Sequence, residues 1–240
     1  MEILRVSHSH AAEARGVVVV IDVIRAFSVA AYAFAGGARS LWLVRTVEEA
    51  RALREREPDA LLVGEVGGRL IEGFDFNNSP SQMAAANVRG RLLIQRTGAG
   101  TRGAVAVGNA TLILLCSLTN AQATASYARK LADAAEGIVS LFPTAHLDEI
   151  GAPNEDTICA DYLEALLFGR NDAPTVLANG IAYLHSIKRF AGFAPGSGDF
   201  PAEDVPAVLA TNHFNFAMVG ERKQWREITY VDVHRVDIHR

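Results

Sequence analysis

Residues 16–23 read Gly16-Val17-Val18-Val19-Val20-Ile21-Asp22-Val23. The run is nearly all apolar and β-branched, with no alternation of polar and apolar positions. That is the pattern of a strand covered on both faces, as in a parallel sheet between helices. An Ala-rich helical stretch follows from Ala26 to Ala35 and stops at Gly36-Gly37. Ser40–Val44 reads as a second strand. Thr46-Val47-Glu48-Glu49 is a capping box for a helix reaching Glu57, just before Pro58. Ala60–Val63 is a third strand.

The alternation continues. Strands are expected at Leu92–Gln95, Leu112–Cys116 and Ile138–Phe142, and helices at Gly100–Val107, Asn120–Ala135 and Asn154–Gly169. Alternating strands and helices imply an α/β chain: a three-layer α/β/α domain with a mainly parallel, mixed sheet of about six or more strands. One domain over residues 1–240 is expected. After residue 172 the pattern changes: Val176–Phe190 looks helical, and 192–206 is rich in Gly and Pro. Thr229–Ile238 reads as a partly exposed strand at a sheet edge.

A chain of 240 residues buries about 70–75% of its unfolded surface, so a core of this size needs no staples. The net charge of −4 and the lack of a basic tract argue against nucleic acid. Cys116 and Cys159 read as buried, reduced thiols. The N-terminal stretch lacks a signal-peptide core, and no apolar run approaches the roughly 20 residues of a membrane span. A cytoplasmic protein with no membrane partner is expected. A homodimer fits a chain of this size, with the tail strand as the segment to pair across it.

Four segments could carry chemistry. Asp22-Val23-Ile24-Arg25 falls where the first long strand should end, the usual place for ligands in open α/β sheets. Asp22 suits Mg²⁺ and Arg25 suits a phosphate or sulfonate; an N-cap Asp and a surface Arg explain the same letters. Gly64–Pro80 (GEVGGRLIEGFDFNNSP) places Glu65 and Asp75 in one loop-rich segment. It closes on Asn78-Ser79-Pro80, with Ser79 as N-cap and Pro80 at the first helical position. Free amides at a helix start favour an anion; glycines merely serving turns are the plainer reading. Arg96-Thr97-Gly98-Ala99-Gly100-Thr101-Arg102 follows a strand and opens a helix. Its small residues let backbone amides approach an oxyanion, and Arg102 adds charge. Asn154-Glu155-Asp156-Thr157 opens another helix, where Glu155 and Asp156 serve either the dipole or a metal. His8 and His10 lack a third ligand nearby and read as solvated, as do His234 and His239.

In this order, Ile21–Ser28 (IDVIRAFS), Gly64–Pro80, Thr97–Arg102 (TGAGTR), Ser117–Ala121 (SLTNA) and Glu155–Ala160 (EDTICA) resemble the 2-phosphosulfolactate phosphatase family. The likeness spans residues 17 to 165. It implies a three-layer α/β fold and Mg²⁺-dependent hydrolysis of 2-phosphosulfolactate to sulfolactate and phosphate, which in some organisms serves coenzyme M synthesis. The chain departs from the family at Val66, where an Arg is usual, and at Asn77 and Ala99. On this reading some subset of Asp22, Glu65, Asp75, Glu155 and Asp156 holds Mg²⁺. Arg25, Asn78, Ser79, Thr97, Gly98, Gly100, Thr101 and Arg102 hold a small phosphorylated acid. Asp22, Arg25, Glu65, Glu155 and Asp156 carry the chemistry. The alternative is a non-catalytic binder of a phosphorylated or sulfonated acid on the same scaffold.

Overall fold

The computed structural model describes residues 1–132, 137–145 and 153–238. Its first strand, β1 (Glu2–Arg5), precedes β2 (Gly16–Ile21), whose Val17–Ile21 side chains are fully buried. Val18 and Val20 point into one core, and Val17, Val19 and Ile21 into another. Burying an aliphatic side chain stabilises by about 1.5–3 kcal/mol, so both faces of β2 work for the fold.

Next come helix α1 (Ala26–Ala35), β3 (Ser40–Val44), α2 (Val47–Arg56) and β4 (Leu61–Val66). The capping box at α2 forms as expected: Thr46 Oγ1 accepts from the Glu49 amide, and Glu49 accepts from the Thr46 amide. Then follow β5 (Arg69–Leu70), α3 (Pro80–Ala85), β6 (Leu92–Arg96), α4 (Gly100–Ala106) and β7 (Ala110–Cys116). The C-terminal part adds α5 (Ala121–Ala132), β8 (Ile138–Pro143), α6 (Glu155–Leu167), α7 (Ala173–Ser186) and α8 (Asp204–Leu209). A hairpin of β9 (Phe216–Trp225) and β10 (Ile228–Asp237) follows. The expected end of α5, residues 133–135, and His239 lie outside the described residues.

The strands form one ten-stranded mixed sheet in the order β1-β8-β2-β7-β9-β10-β3-β6-β4-β5. Strands β1, β8, β2 and β7 are mutually parallel, as are β3, β6 and β4. The β9–β10 hairpin joins the two blocks through antiparallel pairings on both sides. Three antiparallel steps in succession leave the second block running opposite to the first. Helices α1, α3 and α4 pack on one face of the sheet, and α5, α6 and α7 on the other.

The tail strand corrects an expectation. β10 lies inside the sheet, paired along its length with β9 and through Val231–Val233 with β3. Tyr230, Val231 and Val233 are buried while His234 and Arg235 are exposed. Only the half extending past β3 is solvated, and that half gave the strand its edge-like alternation. The sheet edges fall to β1 and β5, so β10 is not a free strand for a second subunit. Among the described residues, no helix is long and apolar enough to cross a membrane.

Candidate active site

The carboxyl ends of β2 and β8 each contribute to one polar cluster. The chain leaves β2 at Asp22, whose Oδ1 accepts from the Ala26 amide at 2.9 Å and so fixes the start of α1. It leaves β8 at Thr144, whose hydroxyl lies 3.3 Å from Asp22 Oδ2 and 3.4 Å from Asp156 Oδ2. Asp156 sits in the first turn of α6. It accepts from the Val23 amide at 2.7 Å and the Ala145 amide at 3.0 Å. Asn154 caps α6 by accepting from the amides of Asp156 and Thr157, and this presents Asp156 to β2. Two carboxylates are thus buried around one threonine hydroxyl, at 5% and 2% exposure.

Burial is the main reason that the Asp22 carboxyl is pushed up to about 6; the nearby charges of Glu155 and Glu65 add to it, against the Ala26 amide. Burial, then the charges of Asp22 and Glu155, hold Asp156 well above the usual carboxylate range. In the unfolded chain Asp22 ionises near 3.8. Between there and about 6 the folded protein keeps a proton that the unfolded chain has lost. That contribution to stability is fully present at low pH and is lost as pH rises through 6; Asp156 extends the decline further upward. The melting temperature of protein in a chelating buffer is therefore expected to fall as pH rises from 4 to beyond 6. Asp22→Asn should flatten the lower part of that slope, and an unchanged slope would refute the assignment.

Two further acids border the pair. Glu155 is met by Arg189, whose Nε and Nη2 donate to its two oxygens at 2.6 Å each. Glu65, near the end of β4, accepts from the Gly68 amide and the Gly98 amide, both at 2.6 Å. The Gly98 bond ties β4 to the loop after β6. In that loop the Thr97 and Thr101 hydroxyls accept from each other's amides, at 3.2 and 2.9 Å. The amides of Ala99 and Gly100 make no hydrogen bond among the described residues. Gly100 is required by close approach: a Cβ there would lie 2.5 Å from Asp22 Oδ2 and 2.8 Å from Ala26 Cβ. The loop after β6 is therefore pressed directly against the Asp22 carboxylate, although its strand belongs to the oppositely directed block.

The third wall is built on Arg25. Its guanidinium is buried, donating to Asp204 Oδ2 at 2.9 Å, the Asp199 carbonyl at 2.6 Å and the Gly68 carbonyl at 3.2 Å. The Phe200 ring lies against it, 4.7 Å from ring centre to guanidinium carbon. The other Asp204 oxygen accepts from Ser79 Oγ at 2.7 Å and from Ser81. Asp199 accepts from the Asn77 side chain and the Leu70 amide. Gly68 has a positive φ of 80°, and a Cβ there would lie 2.0 Å from the Phe200 ring.

The structure therefore brings together Asp22, Asp156, Glu155 and Glu65, with Thr97, Gly98, Gly100, Thr101 and Asn78 at their side. Arg25 and Ser79 are near, but Arg25 is engaged by Asp204 and the Asp199 and Gly68 carbonyls, and the Ser79 hydroxyl by Asp204. Asp75 is not brought to the cluster: it accepts from Arg54 at 2.9 Å and the Leu62 amide at 2.7 Å, with a third of its side chain exposed. Arg102 is exposed on α4 with no ion pair among the described residues. Thr144, Arg189, Asp199 and Asp204 were not anticipated. The position of Thr144 just past a strand end was the one available signal.

Among the described residues, no group of three or more His, Cys, Asp or Glu side chains is arranged to hold a metal ion. The donor chemistry still fits a hard cation with few protein ligands. Asp22 and Asp156 are buried oxygen donors in contact with a common hydroxyl, and burial disfavours both as anions, with the Asp22 charge adding to the effect on Asp156. Mg²⁺ commonly takes one or two carboxylates and fills its remaining positions with water and substrate phosphate.

A family model described as 2-phosphosulpholactate phosphatase matches residues 3–188. A Bacillus subtilis (strain 168) protein named "Probable 2-phosphosulfolactate phosphatase" is 40% identical over 166 residues, 68% of this chain and 69% of that protein. A Deinococcus radiodurans protein of the same name is 40% identical over 153 residues, 62% of each chain. Another from Thermus thermophilus is 42% identical over 117 residues, 48% of each chain. The alignments thus span about two thirds of the first two relatives and about half of the third. Arg189, Asp199 and Asp204 lie beyond the family match.

Proposed function

Because the chain belongs to the 2-phosphosulfolactate phosphatase family, whose namesakes are phosphoric monoester hydrolases, we propose that it hydrolyses 2-phosphosulfolactate, or a closely similar phosphorylated hydroxy acid. The observation that carries the reading is the buried Asp22–Asp156 pair around Thr144, walled by the Gly98–Thr101 loop. A protein that only bound an anion would be weakened by two adjacent buried carboxylates.

Asp22 and Asp156 would hold Mg²⁺. When bound, the ion neutralises charge developing on the phosphoryl group and lowers the pKa of water beside it. Phosphoryl transfer needs positioning and charge neutralisation more than covalent chemistry. Glu65 supports this by holding the loop after β6 against Asp22 through the Gly98 amide. The amides of Ala99 and Gly100 and the Asn78 Nδ2, none of them paired among the described residues, would supply donors for phosphate oxygens. Arg102, exposed beside that loop, supplies a cation for the second acid group. Arg189 meets Glu155 with two hydrogen bonds at the rim and offsets part of the charge that Glu155 adds beside Asp22 and Asp156.

The direct test is phosphate release from 2-phosphosulfolactate with Mg²⁺ and with a chelator, beside phospholactate as the carboxylate analogue. Release only with Mg²⁺, and faster from the sulfonate, is the expected result; no release from either would end the reading. A second readout needs no turnover. A cation held by Asp22 and Asp156 competes with their protons, so Mg²⁺ should raise the melting temperature at pH 8 and much less at pH 5. Asp156→Asn should abolish the difference. An equal shift at both pH values would exclude these residues as the metal site.

A further inference from the structure

Gln95, near the end of β6, is fully buried and belongs to none of the roles given above. Its Nε2 donates to the Ala26 carbonyl at 3.0 Å and to Asn78 Oδ1 at 3.3 Å. Its Oε1 is buried with no partner among the described residues. An orphaned acceptor is costly in a fold that satisfies nearly every buried polar atom. The orientation is nevertheless forced. The Ala26 carbonyl can only accept, so the amide nitrogen of Gln95 must face it. That nitrogen's second hydrogen then meets Asn78, and only the oxygen of Asn78 can receive it. The Asn78 carboxamide is thereby locked with its nitrogen turned away from Gln95. Asn78 is 4% exposed, and its Nδ2 makes no hydrogen bond among the described residues.

The surroundings give that nitrogen a purpose. Ala26, the anchor of the chain of bonds, is also the residue whose amide Asp22 accepts and whose Cβ limits Gly100. On the other side, Asn77 and Ser79 are tied to Asp199 and Asp204. Asn78 thus stands between the Asp22–Gly100 wall and the Arg25–Asp204 wall.

We propose that Gln95 is a positioning residue, which sets the Asn78 side chain so that its two N–H bonds face the phosphoryl oxygens. The inference rests on the phosphatase reading and deepens it. A carboxylate at 95 would reverse the arrangement. Gln95→Glu could not donate to Asn78, so Asn78 would turn its nitrogen inward and present its oxygen to the anion. Gln95→Met keeps the size, removes the orphaned acceptor and leaves Asn78 unfixed.

The test is calorimetric binding of inorganic phosphate in the presence of Mg²⁺, with kcat and KM measured beside it. Gln95→Glu should weaken phosphate binding at least ~10-fold, the loss expected for a hydrogen bond to a charged group, and raise KM more than it lowers kcat. Gln95→Met should fold with a melting temperature close to that of the parent and still bind phosphate several-fold more weakly. In an Asn78→Ala background neither substitution should weaken binding further, because the two residues act as one unit. If Gln95→Met and Gln95→Glu bind phosphate as the parent does, or if their effects persist undiminished without Asn78, the inference is overturned while the phosphatase reading stands. Failure of the parent protein to bind phosphate at all would overturn both.

Discussion

Asp22→Asn is expected to cut turnover at least ~100-fold, and to leave the protein at pH 7–8 as stable as before or more stable. The two halves of this result come from one position. Asparagine keeps the shape of the side chain and an oxygen to accept the Ala26 amide at the start of α1, so the local fold has no reason to change. It removes a charge that burial and its neighbours disfavour, which relieves the folded state above pH 6. On the proposed function it also removes the negative charge that would hold a cation where phosphoryl charge develops. Loss of one preorganised electrostatic partner costs about 10²–10³ in rate in well-studied enzymes. A purely structural aspartate would show the opposite pairing, lower stability with activity falling only in proportion to unfolding. The decisive measurement is kcat at saturating Mg²⁺ alongside thermal melts at pH 5 and pH 8. Turnover unchanged in a folded variant would reduce Asp22 to a cap for α1.

The same residue shows why part of this site is legible in the sequence. A strand buried on both faces announces itself by composition, and its carboxyl end is where an open α/β sheet keeps its ligands. Asp22 could therefore be placed from Gly16–Ile21 alone, and Asp156 from the cap that Asn154 provides. Strands whose two halves meet different environments are harder. β9 is buried from Phe216 to Gly220 and mainly exposed from Glu221 onward, so no single period describes it. β1 has only four residues, with charge at both ends, and is defined by its pairing with β8 rather than by its own letters. The reversal of the second parallel block follows from where the β9–β10 hairpin docks, which no local pattern encodes. The role of Arg25 was obscured for a similar reason. An arginine after a strand suits an anion, but this one meets an aspartate 179 positions away, in a Gly- and Pro-rich stretch that offers no periodic signal.

That buried pair carries the second large effect, and it concerns stability. Asp204→Ala is expected to destabilise the protein by about 3–5 kcal/mol, because it leaves the Arg25 guanidinium buried without its counter-charge. For a chain of this size each kcal/mol lowers the melting temperature by roughly 2–4 °C, so a fall on the order of 6–20 °C should be measured. Side-chain exposures of 3% for Arg25 and 0% for Asp204 leave little room for water to compensate. The loss should not be local. Asp204 Oδ1 also receives the Ser79 and Ser81 hydroxyls and the Ser81 amide, so the start of α3 loses its anchor together with Arg25. Arg25→Met alone should be damaging as well, since it strands a buried aspartate. The double replacement Arg25→Met/Asp204→Leu should recover much of the stability, as paired apolar replacements of buried ion pairs often do. Its activity discriminates between two roles for Arg25. If the guanidinium only braces the wall around Asn78 and Ser79, the double variant regains turnover with its fold. If it also meets the substrate, the double variant is stable and still inactive, with KM raised. A melting temperature unmoved by Asp204→Ala would mean that the pair is not closed in solution, and the wall would need another keystone.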